Sequence, residues 1–124
     1  MKRILVAEDD PPSRELLTDI LNAWGYEVVQ AANGQEALQQ VESTLPDLVL
    51  LDIQMPVLDG FAVLKRLRTN PRFAALPVVA VTAYAMREDR EKTASSGFNG
   101  HLSKPIDLLF LRNLLDQGIG AAAT

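Results

Sequence analysis

Short apolar runs alternate with helical periodicities along the chain, and few folds accommodate that alternation. The runs are Ile4–Ala7, Val28–Ala31, Leu48–Leu51 and Val78–Val81, with a weaker one at His101–Ser103. The first four are too short for helices and carry β-branched residues, which marks them as strands. At least three are apolar at consecutive positions, as in a strand buried on both faces of a parallel sheet. Between them lie stripes with helical spacing. Leu16, Leu17, Ile20, Leu21 and Trp24 form the first, which Gly25 stops. Ala37, Leu38, Val41 and Leu45 form a second. Phe61, Val63, Leu64 and Leu67 form a third, entered through Asp59-Gly60 and ended before Pro71. Leu108, Leu109, Leu111, Leu114 and Leu115 form the last, which runs out at Gly118. Residues 84–96 are mostly charged with few apolar anchors, and are expected to form a helix of low local stability. Strand–helix units repeated five times predict an α/β fold, a parallel sheet covered by helices on both faces.

The length of 124 residues fits one domain, expected over residues 1–118 with a flexible tail at 119–124. The chain has no cysteine, which excludes disulfides, thiolate metal sites and cysteine nucleophiles. Its one histidine excludes a multi-histidine metal site. A net charge of −4 argues against nucleic-acid binding through bulk electrostatics. The longest apolar run is far short of a membrane span and the start carries no signal-peptide pattern, so a soluble cytoplasmic protein is expected.

In a doubly wound sheet the site lies beyond the carboxyl ends of the strands. Strand one ends in Glu8-Asp9-Asp10, strand three in Asp52, strand four in Thr82, and strand five in Lys104 followed by Pro105. Strand two ends without charge in Ala32-Asn33-Gly34. Several carboxylates therefore converge against one ammonium. Two like charges about 4 Å apart repel by roughly 4 kcal/mol at an effective dielectric near 20. Such a cluster must hold protons or bind a cation, and oxygen-only ligands suit Mg²⁺, with Mn²⁺ as the alternative. Asp52 is the natural nucleophile toward phosphorus, with Lys104 and Thr82 placed to contact phosphoryl oxygens. Taken singly, each residue has a plainer role. Asp10 before Pro11-Pro12 can simply start the first helix, Thr82 can be a β-branched strand residue, and Lys104 a solvated charge.

Together these motifs resemble the receiver domains of response regulators in two-component and phosphorelay signalling. The resemblance rests on Glu8-Asp9-Asp10, on Leu50-Leu51-Asp52-Ile53-Gln54-Met55-Pro56 with Asp59-Gly60, on Val81-Thr82-Ala83, and on Lys104-Pro105. It runs from Lys2 to about Gln117 and is most like single-domain regulators of the cell-division type and the receivers of hybrid kinases. It implies a flavodoxin-like doubly wound five-stranded sheet of order 2-1-3-4-5 with five helices, and a cis Lys104-Pro105 bond. It further implies that Asp52 accepts phosphate from a sensor histidine kinase or a histidine phosphotransfer protein. Glu8, Asp9, Asp52 and the backbone carbonyl of Gln54 then hold Mg²⁺, and Lys104 pairs with the phosphoryl group. Asp10 lies one position beyond the usual acid pair and stays outside the metal set.

By the same resemblance, Thr82 moves toward the phosphoryl group and the aromatic position of strand five follows. That position is His101 here, where Tyr or Phe is usual. The output face comprises the fourth helix, strand five and the last helix, and a downstream protein reads it. Gln54 and Tyr84 sit two residues after the nucleophile and the threonine, where side chains can control water access; the Tyr84 ring either shields the phosphoryl group, giving a long-lived state, or merely covers an apolar patch. The expected protein is a monomer or a weak phosphorylation-dependent dimer that acts as a switch and turns over no external substrate. The starting Met1 and the unstructured finish favour a stand-alone regulator. A flavin or nucleotide module would need phosphate donors after strand one, where three acids stand. A phosphatase using Asp52 would usually carry an acid two residues on, where Gln54 stands. A degenerate scaffold would lack part of the site, and none is lacking.

Overall fold

The computed structural model describes residues 2–83, 91–92 and 95–116. Its strands are β1 (Arg3–Ala7), β2 (Glu27–Ala31), β3 (Leu48–Asp52), β4 (Val78–Thr82) and β5 (Gly100–Ser103). They form one parallel sheet in the order β2-β1-β3-β4-β5, the doubly wound arrangement expected. The helices among the described residues are α1 (Pro11–Ala23), α2 (Gly34–Thr44), α3 (Gly60–Thr69) and α4 (Leu108–Asp116). The further helix expected within 84–96, the Tyr84 position and the tail at 119–124 lie wholly or largely outside the described residues. The Lys104–Pro105 bond is cis.

Each of these helices starts on an Asp or Asn whose side chain takes up backbone N–H groups of the first turn. Asp10 accepts from Ser13 N, Asn33 from Glu36 N and Asp59 from Ala62 N. Asp107 Oδ1 accepts from Leu109 N and Phe110 N. Each such cap is worth about 1 kcal/mol. The plain role of Asp10 is therefore real: its carboxylate also accepts from Ser13 Oγ at 2.5 Å, and these two bonds hold its pKa below the usual carboxylate range.

The sheet is covered on both sides. Every residue of β3 and β4 is buried. Leu5, Val49, Leu51 and Val78 pack under α2 and α3 with Val41, Val63 and Leu67, whereas Ile4, Leu48, Leu50 and Val79 pack under α1 and α4 with Leu21 and Leu111. Adjacent residues of one strand thus serve opposite cores, which is why these runs are continuously apolar.

Four expected core positions are exposed instead, Leu108 in the first turn of α4 among them. Leu17 and Leu21 face the sheet at i, i+4 spacing, so Leu16 is turned aside and is 64 % exposed. Leu111 and Leu115 do the same for α4, which leaves Leu109, two residues earlier, on the opposite side. Leu45 lies past the end of α2 as its left-handed cap, at φ 50°.

The loop between β3 and α3 is clamped from two sides. Gly60 N donates to Ile53 O at 2.8 Å. Gly34, the first residue of α2, packs so closely that a Cβ there would lie 2.0 Å from Leu58 O. Leu58 N donates to Pro56 O at 2.7 Å around Val57 at φ 70°, a γ-turn of the rarer positive-φ kind.

Candidate phosphoryl and metal site

The carboxyl ends of β1, β3, β4 and β5 deliver the polar groups to one edge, with β1 and β3 adjacent at the centre. Asp52 and Thr82 are the last residues of their strands, not the residues after them. The ladder therefore fixes both, Asp52 opposite Val81 and Thr82 opposite Ser103. Asp52 is 4 % exposed, Glu8 5 % and Thr82 2 %, whereas Asp9 is open to solvent.

Glu8, Asp9 and Asp52 each offer a carboxylate oxygen within 4.8 Å of the others. Asp52 Oδ1 accepts from Gln54 N at 2.9 Å, since the loop after β3 folds back over the strand end. Asp52 Oδ2 accepts from Lys104 Nζ at 3.0 Å, and Glu8 Oε1 accepts from the same ammonium at 2.5 Å. Lys104 is carried there by a strand-end bond, Lys104 N donating to Thr82 O at 2.8 Å.

Charge is not balanced by this one cation. Burial and the adjacent Asp52 carboxylate push Glu8 up to about 7 despite the pull of Lys104. Burial acts to lower Lys104, but Glu8 and Asp52 outweigh it and raise its pKa. Glu8 Oε2 is buried and has no hydrogen-bond partner among the described residues. A buried carboxylate oxygen without a donor is costly in a folded protein. An oxygen-only set with surplus negative charge and an unmatched oxygen fits a hard divalent cation such as Mg²⁺.

Thr82 and His101 share a sheet face. His101 pairs with Ala80 and Ser103 with Thr82, so alternation puts Ala80, Thr82, His101 and Ser103 on the side of α2 and α3. His101 Nε2 lies 3.3 Å from Ser103 Oγ, and both line an open pocket with Asp107 and Phe110. Gln54 is exposed.

Two features escaped the sequence reading. Arg14 Nη1 donates to Glu8 O at 2.8 Å, although a lone Arg in a first helical turn carries no signal of its target. A cleft of about 280 Å³ also opens beside the acids, lined on its apolar side by Leu16, Ile20, Ile106 and Leu108 and including Asp52 and Lys104. Nothing in the sequence pointed to this cleft, because Leu16 and Leu108 read there as core positions of their helices.

Among the described residues no helix is long and apolar enough to cross a membrane. The response regulator receiver domain profile matches residues 4–116. A 14.6 kDa protein encoded 3′ of sodA1 in Leptolyngbya boryana is 46 % identical over 114 residues, covering 92 % of this chain and 87 % of that one. The polar-differentiation response regulator DivK of Brucella anthropi is 38 % identical over 107 residues, covering 86 % and 87 %. Among solved structures, the receiver domain of the sensor histidine kinase PA1611 from Pseudomonas aeruginosa superposes with a TM-score of 0.88. It is 33 % identical over 96 % of this chain and 98 % of its own, and carries a magnesium ion coordinated in its active-site cleft. A response regulator from Chloroflexus aurantiacus gives 0.90 at 33 % identity, with 96 % and 98 % covered. With its acids gathered where a Mg²⁺-dependent phosphorylation site requires them, the chain belongs to the response regulator receiver domain family of two-component signalling.

Proposed function

We propose that the protein is a cytoplasmic phospho-accepting switch in which Asp52 takes a phosphoryl group from a histidine kinase or a histidine phosphotransfer protein. The observation that carries this reading is the state of Asp52. It is buried at the sheet edge, with one oxygen on Gln54 N, the other on Lys104, and Glu8 and Asp9 beside it. In the transfer, an Asp52 oxygen forms the new O–P bond as the donor's N–P bond breaks, and the protonated imidazole leaves neutral.

Glu8, Asp9, Asp52 and the Gln54 carbonyl are the proposed ligands of Mg²⁺, with Mn²⁺ as a substitute. When bound, the ion supplies charge neutralisation and alignment of the phosphoryl oxygens. Lys104 then exchanges a carboxylate partner for a phosphoryl oxygen. Thr82 donates its hydroxyl to the same group, and His101 on the shared face relays the shift toward β5 and α4. Gln54 and Tyr84 set how readily water reaches the phosphoryl group. The apolar cleft with exposed Leu16 and Leu108 supports docking of a donor protein next to Asp52. The protein acts on itself and on protein partners, as a monomer or a weak phosphorylation-dependent dimer, and is not an enzyme for an external substrate.

Intact mass after incubation with acetyl phosphate tests this, with and without Mg²⁺, on wild type and Asp52→Asn. A single phosphoryl adduct that needs both Mg²⁺ and Asp52 is expected. An adduct that persists in Asp52→Asn would assign the acceptor to another carboxylate, and no adduct in wild type would leave a scaffold read by binding alone.

A further inference from the structure

We infer that Arg14 is a positioning residue for the cation site, acting on the acids through the main chain. The inference rests on reading Glu8, Asp9 and Asp52 as the seat of a divalent cation. Glu8 lies one residue past the end of β1, where the chain leaves the strand. Its N–H is still tied to the sheet, donating to Ala31 O at 3.0 Å. Its C=O accepts from Arg14 Nη1 at 2.8 Å, reaching back from the first turn of α1. One residue on, Asp10 is fixed as the helix cap. The two peptide units flanking Glu8 are thereby held, and with them the directions in which the Glu8 and Asp9 carboxylates leave the backbone.

The bond goes to a main-chain oxygen, so the guanidinium orients the acids without occupying their oxygens. This separates Arg14 from Lys104, whose ammonium sits on two of those oxygens. Outer-shell groups that orient ligands typically change metal affinity by roughly 10–100-fold when they are removed.

The sign of the effect identifies the role. Were Arg14 only a nearby positive charge, its removal would strengthen cation binding by the acids. As a positioning residue, its removal weakens binding, because the freed Glu8–Asp9 peptide unit lets the two carboxylates diverge.

Mn²⁺ binding followed by electron paramagnetic resonance, with Mg²⁺ as competitor, tests this on wild type, Arg14→Met and Arg14→Lys. Melting of each in EDTA supplies the structural control. Arg14→Met should weaken Mn²⁺ and Mg²⁺ binding about tenfold, with little change in EDTA melting. Arg14→Lys, which keeps a donor at similar reach, should restore most of the affinity. Binding by Arg14→Met equal to or tighter than wild type overturns the inference. So does a loss shared in full by Arg14→Lys and matched by lower melting in EDTA, since that assigns Arg14 to the fold. Wild type that takes up no Mn²⁺ or Mg²⁺ overturns the reading of the site beneath it.

Discussion

Lys104 Nζ lies 2.5 Å from Glu8 Oε1, closing a separation of 96 residues between the last strand and the first. The same ammonium reaches Asp52 at 3.0 Å, so one cation stands between two buried carboxylates. That pairing satisfies the acids only in part. Glu8 keeps an oxygen without a donor and holds its proton up to about 7. A site left short of positive charge has a reason to take up a cation, and its electrostatics can be read out through stability.

The raised Glu8 pKa makes the metal-free protein less stable as pH rises. Between 4.5 and about 7 the unfolded chain has released the Glu8 proton while the folded protein retains it. Stability from this group is full below 4.5 and is lost through about 7, at no more than about 1.4 kcal/mol per pH unit. Lys104, whose pKa is raised, stays charged throughout that window. Urea unfolding in EDTA at pH 5.5 and pH 7.5 should show wild type losing about 1–2 kcal/mol. Glu8→Gln should lack that loss, and an equal slope in both proteins would contradict the assignment.

Replacing Lys104 by Met should have opposite effects on fold and on cation. Two buried carboxylates lose their counter-charge, which should cost about 3 kcal/mol in EDTA near neutral pH. The cost should shrink at pH 5.5, where Glu8 takes a proton. Cation binding should tighten several-fold, because the ammonium no longer competes for Glu8 Oε1 and Asp52 Oδ2, while phosphoryl uptake falls. Unfolding curves with and without Mg²⁺ measure both effects, and weaker cation binding in Lys104→Met would count against a competing role.

The sheet was legible because its strands are buried on both sides, which leaves continuous apolar runs that turn chemistry cannot imitate. The acids were legible because each sits where such a run stops. What the sequence hid depends on direction, not residue type. Leu16, Leu45 and Leu109 have core chemistry, yet α1 and α4 bury narrow strips and α2 ends one residue before Leu45. The target of Arg14 was hidden because a main-chain oxygen has no sequence signature. The Asp59-Gly60 step was readable as a helix entry, but the closeness of Gly34 to Leu58 follows only from how α2 meets the loop after β3.

That closeness predicts a severe cost for Gly34→Ala. In an open helix the change would gain roughly 1 kcal/mol. Here the added Cβ would fall 2.0 Å from Leu58 O and 2.8 Å from Leu58 C, both backbone atoms that cannot rotate away. A net loss above about 2 kcal/mol is expected. Gly25→Ala is the control: its Cβ would meet nothing within 4 Å, and only the φ of 93° opposes it. Denaturation midpoints for the two variants should rank Gly34→Ala clearly lower, and parity between them would mean that the loop yields.

Val57 stores strain that a single substitution should release. Its φ of 70° is a conformation that β-branched residues rarely adopt, and the Leu58 N to Pro56 O bond holds it there. The side chain is 74 % exposed, so little burial is lost when it is replaced. Val57→Asn suits a positive φ and should raise stability by about 1 kcal/mol. Val57→Gly relieves the same strain but adds freedom to the unfolded chain, so it should gain less. The β3–β4 ladder holds Asp52 opposite Val81, so relief at Val57 should leave that strand end undisturbed, and phosphoryl uptake from acetyl phosphate should match wild type. A urea midpoint for Val57→Asn at or below wild type would show that the turn carries no strain.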